Sequence, residues 1–314
     1  MDKNLSNVWL VAFADARLVK PRRRLMRQAL EFGFAPDRIR ILSDEDLDDN
    51  FKMEFGDRLV HGSRGFGYWC WKPYIAIETM KMMGEGDILF YLDIGCHLNK
   101  KGKVRFYDYL KKAKTEGFCA FQARSLLCDS TKPDPRHHVY LNSQYTKGDL
   151  FDYFGLRNNP DIVNAAQVVS TAFFMKKSRA AEEFLKEWMD VYRKSFALID
   201  DSPSKSPNFP GFIENRHDQS VFSFLWLLKG YPTFSGCEIE PLRKYAPACP
   251  EYRHNPSWGT YWFYQMAYFP IHAKRDWGRL GFWTKLFRFF KLRVFRPFRE
   301  KYLTRHDGDR EISI

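Results

Sequence analysis

Six cysteines, Cys70, Cys96, Cys119, Cys128, Cys237 and Cys249, are spread over 314 residues with no CxxC pair and no framework spacing. That excludes a disulfide framework and leaves the expectation of reduced, mostly buried thiols in a cytosolic protein. No stretch approaches the ~18 uncharged apolar residues that would span a bilayer, so membrane contact is expected to be peripheral. Met1-Asp2-Lys3-Asn4 leads straight into a strand-like run, without the pattern of a secretory leader. There is no internal repeat. Ala12 to Arg17, after the first apolar run, contains no glycine. A nucleotidyltransferase would place its Gly-rich phosphate loop there, so that class ranks low.

What is present is apolar and basic. Hydrophobic residues make up 45% of the chain, which excludes global disorder, and aromatics 17%. The net charge is +12, which favours anionic partners. The excess is uneven: Lys274 to Arg305 holds eleven Lys/Arg against two acids. A basic tail accounts for the balance better than a basic fold does. No recognised nucleic-acid motif accompanies the charge, so a polyanion-binding protein without catalysis is the alternative reading and nucleic acid is not the expected partner.

In chain order, Val8 to Ala14 reads as a first strand, Arg22 to Phe32 as an amphipathic helix stopped by Gly33, and Arg38 to Leu42 as a second strand. Ser43 is placed to cap a short acidic helix. Strand–helix–strand opens a parallel α/β sheet. Gly62, Gly65 and Gly67 make a loop, Pro73 fits the first turn of a helix over 74–83, and Ile88 to Leu92 is a buried strand with Asp93 at its end. A carboxylate at the C-terminal end of such a strand sits where α/β sheets bind ligands. His97 is expected in a turn. Further strands are expected over 118–123, 168–175, 232–239 and 269–272. Further helices are expected over 107–115, 147–156, 178–194 and 218–229. Asp200 to Gly211 reads either as a substrate lid or as a surface connector. In the tail, Phe282, Trp283, Leu286, Phe287, Phe290 and Val294 share one helical face with basic residues elsewhere. That pattern suits an anionic lipid interface.

Gly67-Tyr68-Trp69-Cys70-Trp71-Lys72-Pro73, Tyr91-Leu92-Asp93-Ile94-Gly95, Asp218-Gln219 and Pro270-Ile271-His272-Ala273-Lys274 occur in this order. Together they resemble nucleotide-sugar glycosyltransferases of the GT-A fold, of the bacterial and viral capsule or lipopolysaccharide type. The resemblance covers roughly residues 8–275. It implies a GT-A-like α/β domain over 1–275, a mixed sheet flanked by helices, followed by the amphipathic tail over 276–314. It also implies a nucleotide-sugar donor and a glycan or lipid-linked glycan acceptor. The tail adds an anionic membrane surface at the cytoplasmic face.

The same resemblance assigns roles. Transfer leaves a diphosphate whose charge calls for Mn²⁺ or Mg²⁺ on oxygen ligands. Such enzymes supply an Asp-x-Asp pair, but here Gly95 stands in the second place. Asp93 therefore either binds the cation with help from elsewhere or contacts the ribose or donor sugar without it. His272 is the candidate for that help, and Lys274 for the diphosphate. Asp218 is assigned to sugar hydroxyls or to general-base work, and Gln219 to the surroundings of the anomeric carbon. Asp15 and Arg17 lie where the fold holds the nucleotide base and ribose. Lys72, inside an aromatic loop, is placed either to reach a phosphate or to pack its stem on tryptophan.

Overall fold

Strand β1 (Val8–Phe13) is buried along its whole length, because its alternating side chains feed two separate apolar layers. The computed structural model describes residues 5–124, 140–240 and 268–273. After β1 come α1 (Val19–Phe32), β2 (Ile39–Leu42), α2 (Asp49–Phe55) and α3 (Trp71–Met82). Then follow β3 (Ile88–Leu92), β4 (Cys96–Leu98), α4 (Lys103–Glu116) and β5 (Phe118–Gln122). Further along, besides single helical turns, come α5 (Gly148–Tyr153), β6 (Val168–Lys176), α6 (Arg179–Lys194), α7 (Asp218–Leu228), β7 (Thr233–Ser235) and β8 (Ile271–Ala273).

Six strands form one mixed sheet in the order β2-β1-β3-β6-β5-β7. β1 runs parallel to β2 and β3, while β6 runs antiparallel to β3 and β5. This is the mixed, helix-flanked sheet that the sequence leads one to expect. Trp9, Val11, Phe13, Leu89, Tyr91, Phe173 and Met175 point to the layer of α3, α6 and α7. Val8, Leu10, Ala12, Ile88, Phe90 and Phe174 point to the layer of α1 and α4.

Helix boundaries follow local chemistry. Gly33, at φ 102°, ends α1 and returns its N–H to the carbonyls of Ala29 and Leu30. Ser178 caps α6 through the N–H of Ala181. Ser43 forms a capping box with Asp46, but over a single 3₁₀ turn rather than an α-helix. No helix of the described residues is long and apolar enough to cross a membrane.

One local expectation changes. His97 lies in β4, in register with His272 of β8, rather than in a turn. A three-residue strand carries too little alternation to be seen in sequence. Residues 200–211, read either as a lid or as a connector, are tied to the start of α5. Asp149 accepts the N–H groups of Lys205 and Ser206 at 2.9 and 2.7 Å, and Asn208 accepts that of Gly148 at 2.7 Å. The loop around residues 128–138, the tail helix and Lys274 lie outside the described residues.

Candidate functional site

The C-terminal ends of β1 and β3, the start of the antiparallel β6 and the N-termini of α3 and α7 meet at one edge of the sheet. The register places Val11 beside Tyr91, so the two strands end together. Asp93 follows β3, its N–H bonded to the carbonyl of Thr171 at 2.9 Å, and the chain turns back at once into β4.

The approach to α3 is made by an unusual backbone. Gly65, Phe66, Gly67, Tyr68 and Trp69 all have positive φ, between 48° and 83°. For the three non-glycine residues this costs roughly 1–2 kcal/mol each. The glycines are needed: a Cβ on Gly65 would lie 2.4 Å from the Trp69 ring. Trp71, stacked on Phe13 at 4.1 Å, anchors the start of α3. Lys72 is thereby aimed inward, with its side chain only 2% exposed.

Its ammonium sits between two buried carboxylates. Lys72 Nζ is 2.6 Å from Asp218 Oδ2 and 3.3 Å from Asp93 Oδ1. It also donates to Ser170 Oγ at 3.2 Å and to the Ser170 carbonyl at 3.3 Å. The Ser170 hydroxyl donates to Asp218 at 2.6 Å, and Tyr91 Oη donates to Asp93 at 2.8 Å. Asp218 opens α7, but its side chain serves this cluster rather than capping the helix.

Gln219 continues the polar wall. Its amide donates to Gln167 Oε1 at 2.7 Å, and Gln167 in turn donates to the Tyr145 carbonyl and the Thr146 hydroxyl. His217, just before Asp218, has φ 52° and ψ −119°, a conformation usually left to glycine. Its Nδ1 meets the Ile199 carbonyl at 2.5 Å, and its ring stacks on Trp69 at 5.6 Å. Backbone strain of this kind clusters at functional sites.

Burial holds His217 below the ordinary histidine value, against the hydrogen bond to Ile199 and the charges of Asp218 and Asp201. The unfolded chain therefore takes a proton that the folded one refuses. Stability is full above the unfolded value of about 6.5 and is lost as pH falls below it. Thermal unfolding between about pH 7.5 and 5 is expected to show this loss. In His217→Gln the decline should be shallower.

Asp15 and Arg17 lie at the end of β1, paired with each other at 2.9 Å. The hydrogen bonds from Arg17 hold the Asp15 carboxyl below its ordinary value. Of the residues singled out in the sequence, Lys72, Asp93 and Asp218 come together, with Gln219 adjoining. His272 stands opposite His97 in the β4–β8 ribbon. Ser170, Tyr91 and Gln167 had no assigned role. The available signal for Ser170 was the Ser-Thr pair interrupting the apolar run Val168 to Met175.

Among the described residues, no three His, Cys, Asp or Glu side chains gather as a metal centre. Asp93 Oδ1 already accepts a phenol hydrogen and faces an ammonium.

No protein-family model matches the chain, and no curated protein matches it in sequence. Solved structures do resemble it. Mouse xyloside xylosyltransferase 1 is 10% identical, covering 87% of this chain and 100% of its own, with a TM-score of 0.43. A glycosyltransferase involved in glycosylation of the major capsid of PBCV-1 is 10% identical, covering 86% and 94%, with a TM-score of 0.41. The galactosyltransferase LgtC, in complex with donor and acceptor sugar analogs, is 11% identical, covering 84% and 85%, with a TM-score of 0.40.

Proposed function

We propose that the protein transfers a sugar from a nucleotide-sugar donor to a glycan acceptor, one that is lipid-linked and presented at the cytoplasmic face of a membrane. The observation that carries the reading is the pair of buried carboxylates, Asp93 and Asp218, held on one ammonium at the C-terminal edge of the parallel strands. Open α/β sheets take their ligands at that edge. Two carboxylates there offer acceptor oxygens to sugar hydroxyls, and Lys72 fixes their spacing and balances one of their charges. Asp218 is also the group assigned to take the acceptor's proton if transfer inverts the anomeric centre. Gln219, with its amide nitrogen committed to Gln167, is assigned to the surroundings of the anomeric carbon. Asp15 and Arg17 are assigned to the nucleoside, and Lys274 to the diphosphate.

The lipid-linked acceptor is supported by the tail over 276–314, whose sequence interleaves aromatic and basic residues. The test is a screen of purified protein against a panel of nucleotide sugars, each with Mn²⁺ and with a chelator. Release of nucleoside diphosphate from one donor is expected. The difference between the two arms reads whether Asp93 and His272 work with a cation. No turnover of any donor would overturn the proposal.

A further inference from the structure

The outer face of α1 brings charge and exposed apolar surface together. Leu25, Ala29 and Phe32 turn into the fold. On the opposite side Val19, Arg23, Arg27 and Leu30 follow one another at helical spacing in one stripe. All four are exposed, Val19 at 48% and Leu30 at 45%. Lys20 and Arg22, also exposed, flank the stripe. The start of α4 adjoins the end of α1, with Lys103 Nζ 5.6 Å from the Phe32 ring centroid. Lys100, Lys101 and Val104 are exposed there, Val104 at 78%.

Arg27 lies 3.9 Å from Glu31, both well exposed. Among the described residues, Lys20, Arg22, Arg23, Lys100 and Lys101 have no carboxylate partner. Outside the segment from Lys274 to Arg305 the chain holds 39 Lys/Arg against 36 acids. The face is therefore a local concentration of charge on a nearly balanced remainder.

We infer that this face docks on an anionic lipid surface, independently of the tail and of the chemistry assigned to the site. The basic heads meet lipid phosphates while Val19, Leu30 and Val104 enter the headgroup boundary. A polynucleotide would answer the charge but leave three exposed aliphatic side chains idle. The stripe also carries no aromatic ring on which a base would stack.

The test uses the full-length chain and sedimentation with vesicles of phosphatidylcholine, with and without phosphatidylserine. Each positive charge at such a surface strengthens partitioning about fivefold. R22Q/R23Q is expected to lower partitioning into the anionic vesicles about 25-fold, and R22E/R23E further. K186E/K194E changes the net charge as much as R22E/R23E, but on α6 in the opposite layer, and is expected to stay within about twofold of the parent. Thermal unfolding of each variant checks the fold, and the glutamine pair serves if the glutamate pair unfolds. Equal partitioning of R22Q/R23Q and the parent would overturn the inference, since the tail alone would then hold the protein. Equal losses from R22E/R23E and K186E/K194E would overturn it too, as a net-charge effect. So would a result in which the α1 substitutions weaken binding of a single-stranded RNA oligomer but not of vesicles.

Discussion

Lys72→Met is expected to destabilise the fold by about 3–5 kcal/mol, read as a lower denaturant midpoint at unchanged slope. Methionine keeps most of the stem's volume, so the loss reports the charge and its hydrogen bonds. The Lys72 side chain is 2% exposed and those of Asp93 and Asp218 7% each. Two carboxylates in so little water need a cation between them. Without one they repel each other, and the Ser170 carbonyl loses a donor. The double variant K72M/D218N should recover a substantial part of the loss. An amide at 218 still accepts from the Ser170 hydroxyl and no longer repels Asp93. If K72M unfolded within about 0.5 kcal/mol of the parent, the ammonium would not be the centre of the cluster.

Asp93→Asn is expected to cut donor turnover by about 10²–10³-fold while leaving the melting temperature near that of the parent. The substitution is nearly isosteric. Asparagine still accepts from Tyr91 Oη, and Lys72 keeps its 2.6 Å partner in Asp218. What disappears is one anionic charge at the end of β3. Asp93→Ala should abolish turnover altogether. The measurement is release of nucleoside diphosphate from the donor identified by the screen. Unchanged turnover in either variant would remove Asp93 from the site and sink the donor-site reading. Together the two experiments separate roles: loss of Lys72 shows first in stability, loss of Asp93 first in rate.

Much of the architecture is legible without coordinates. Val8 to Ala14 and Ile88 to Leu92 are apolar runs too short and too β-branched or aromatic to be helices, and each is followed by a polar stop. The spacing of Phe184, Leu185, Trp188, Met189 and Tyr192 defines the buried face of α6. Gly33 announces the end of α1. These signals are local, and local preference here agrees with the fold. The ribbon of β4 and β8 escapes notice because its two strands are three residues each and 173 positions separate their register partners Leu98 and Ile271.

The sequence by itself determined that an acid would stand at the end of a buried strand and that an Asp-Gln pair would open a later helix. It also determined that a lysine would follow an aromatic, glycine-rich loop. It left the meaning of that lysine open between a phosphate contact and a stem packed on tryptophan. Tertiary structure alone decided that Lys72 spans the 146 positions to Asp218 and joins it to Asp93. The physical reason is that a charge's role depends on which other charges share its low-dielectric surroundings, and pairing across such distances leaves no periodic trace in the chain. The left-handed backbone from Gly65 to Trp69 makes that pairing possible. Two glycines hint at it, but the stacking of Trp69 on His217 and of Trp71 on Phe13, with the hydrogen bonds from Trp71 Nε1 to the Gly65 carbonyl and from the Gly67 N–H to Ser63 Oγ, holds it in place.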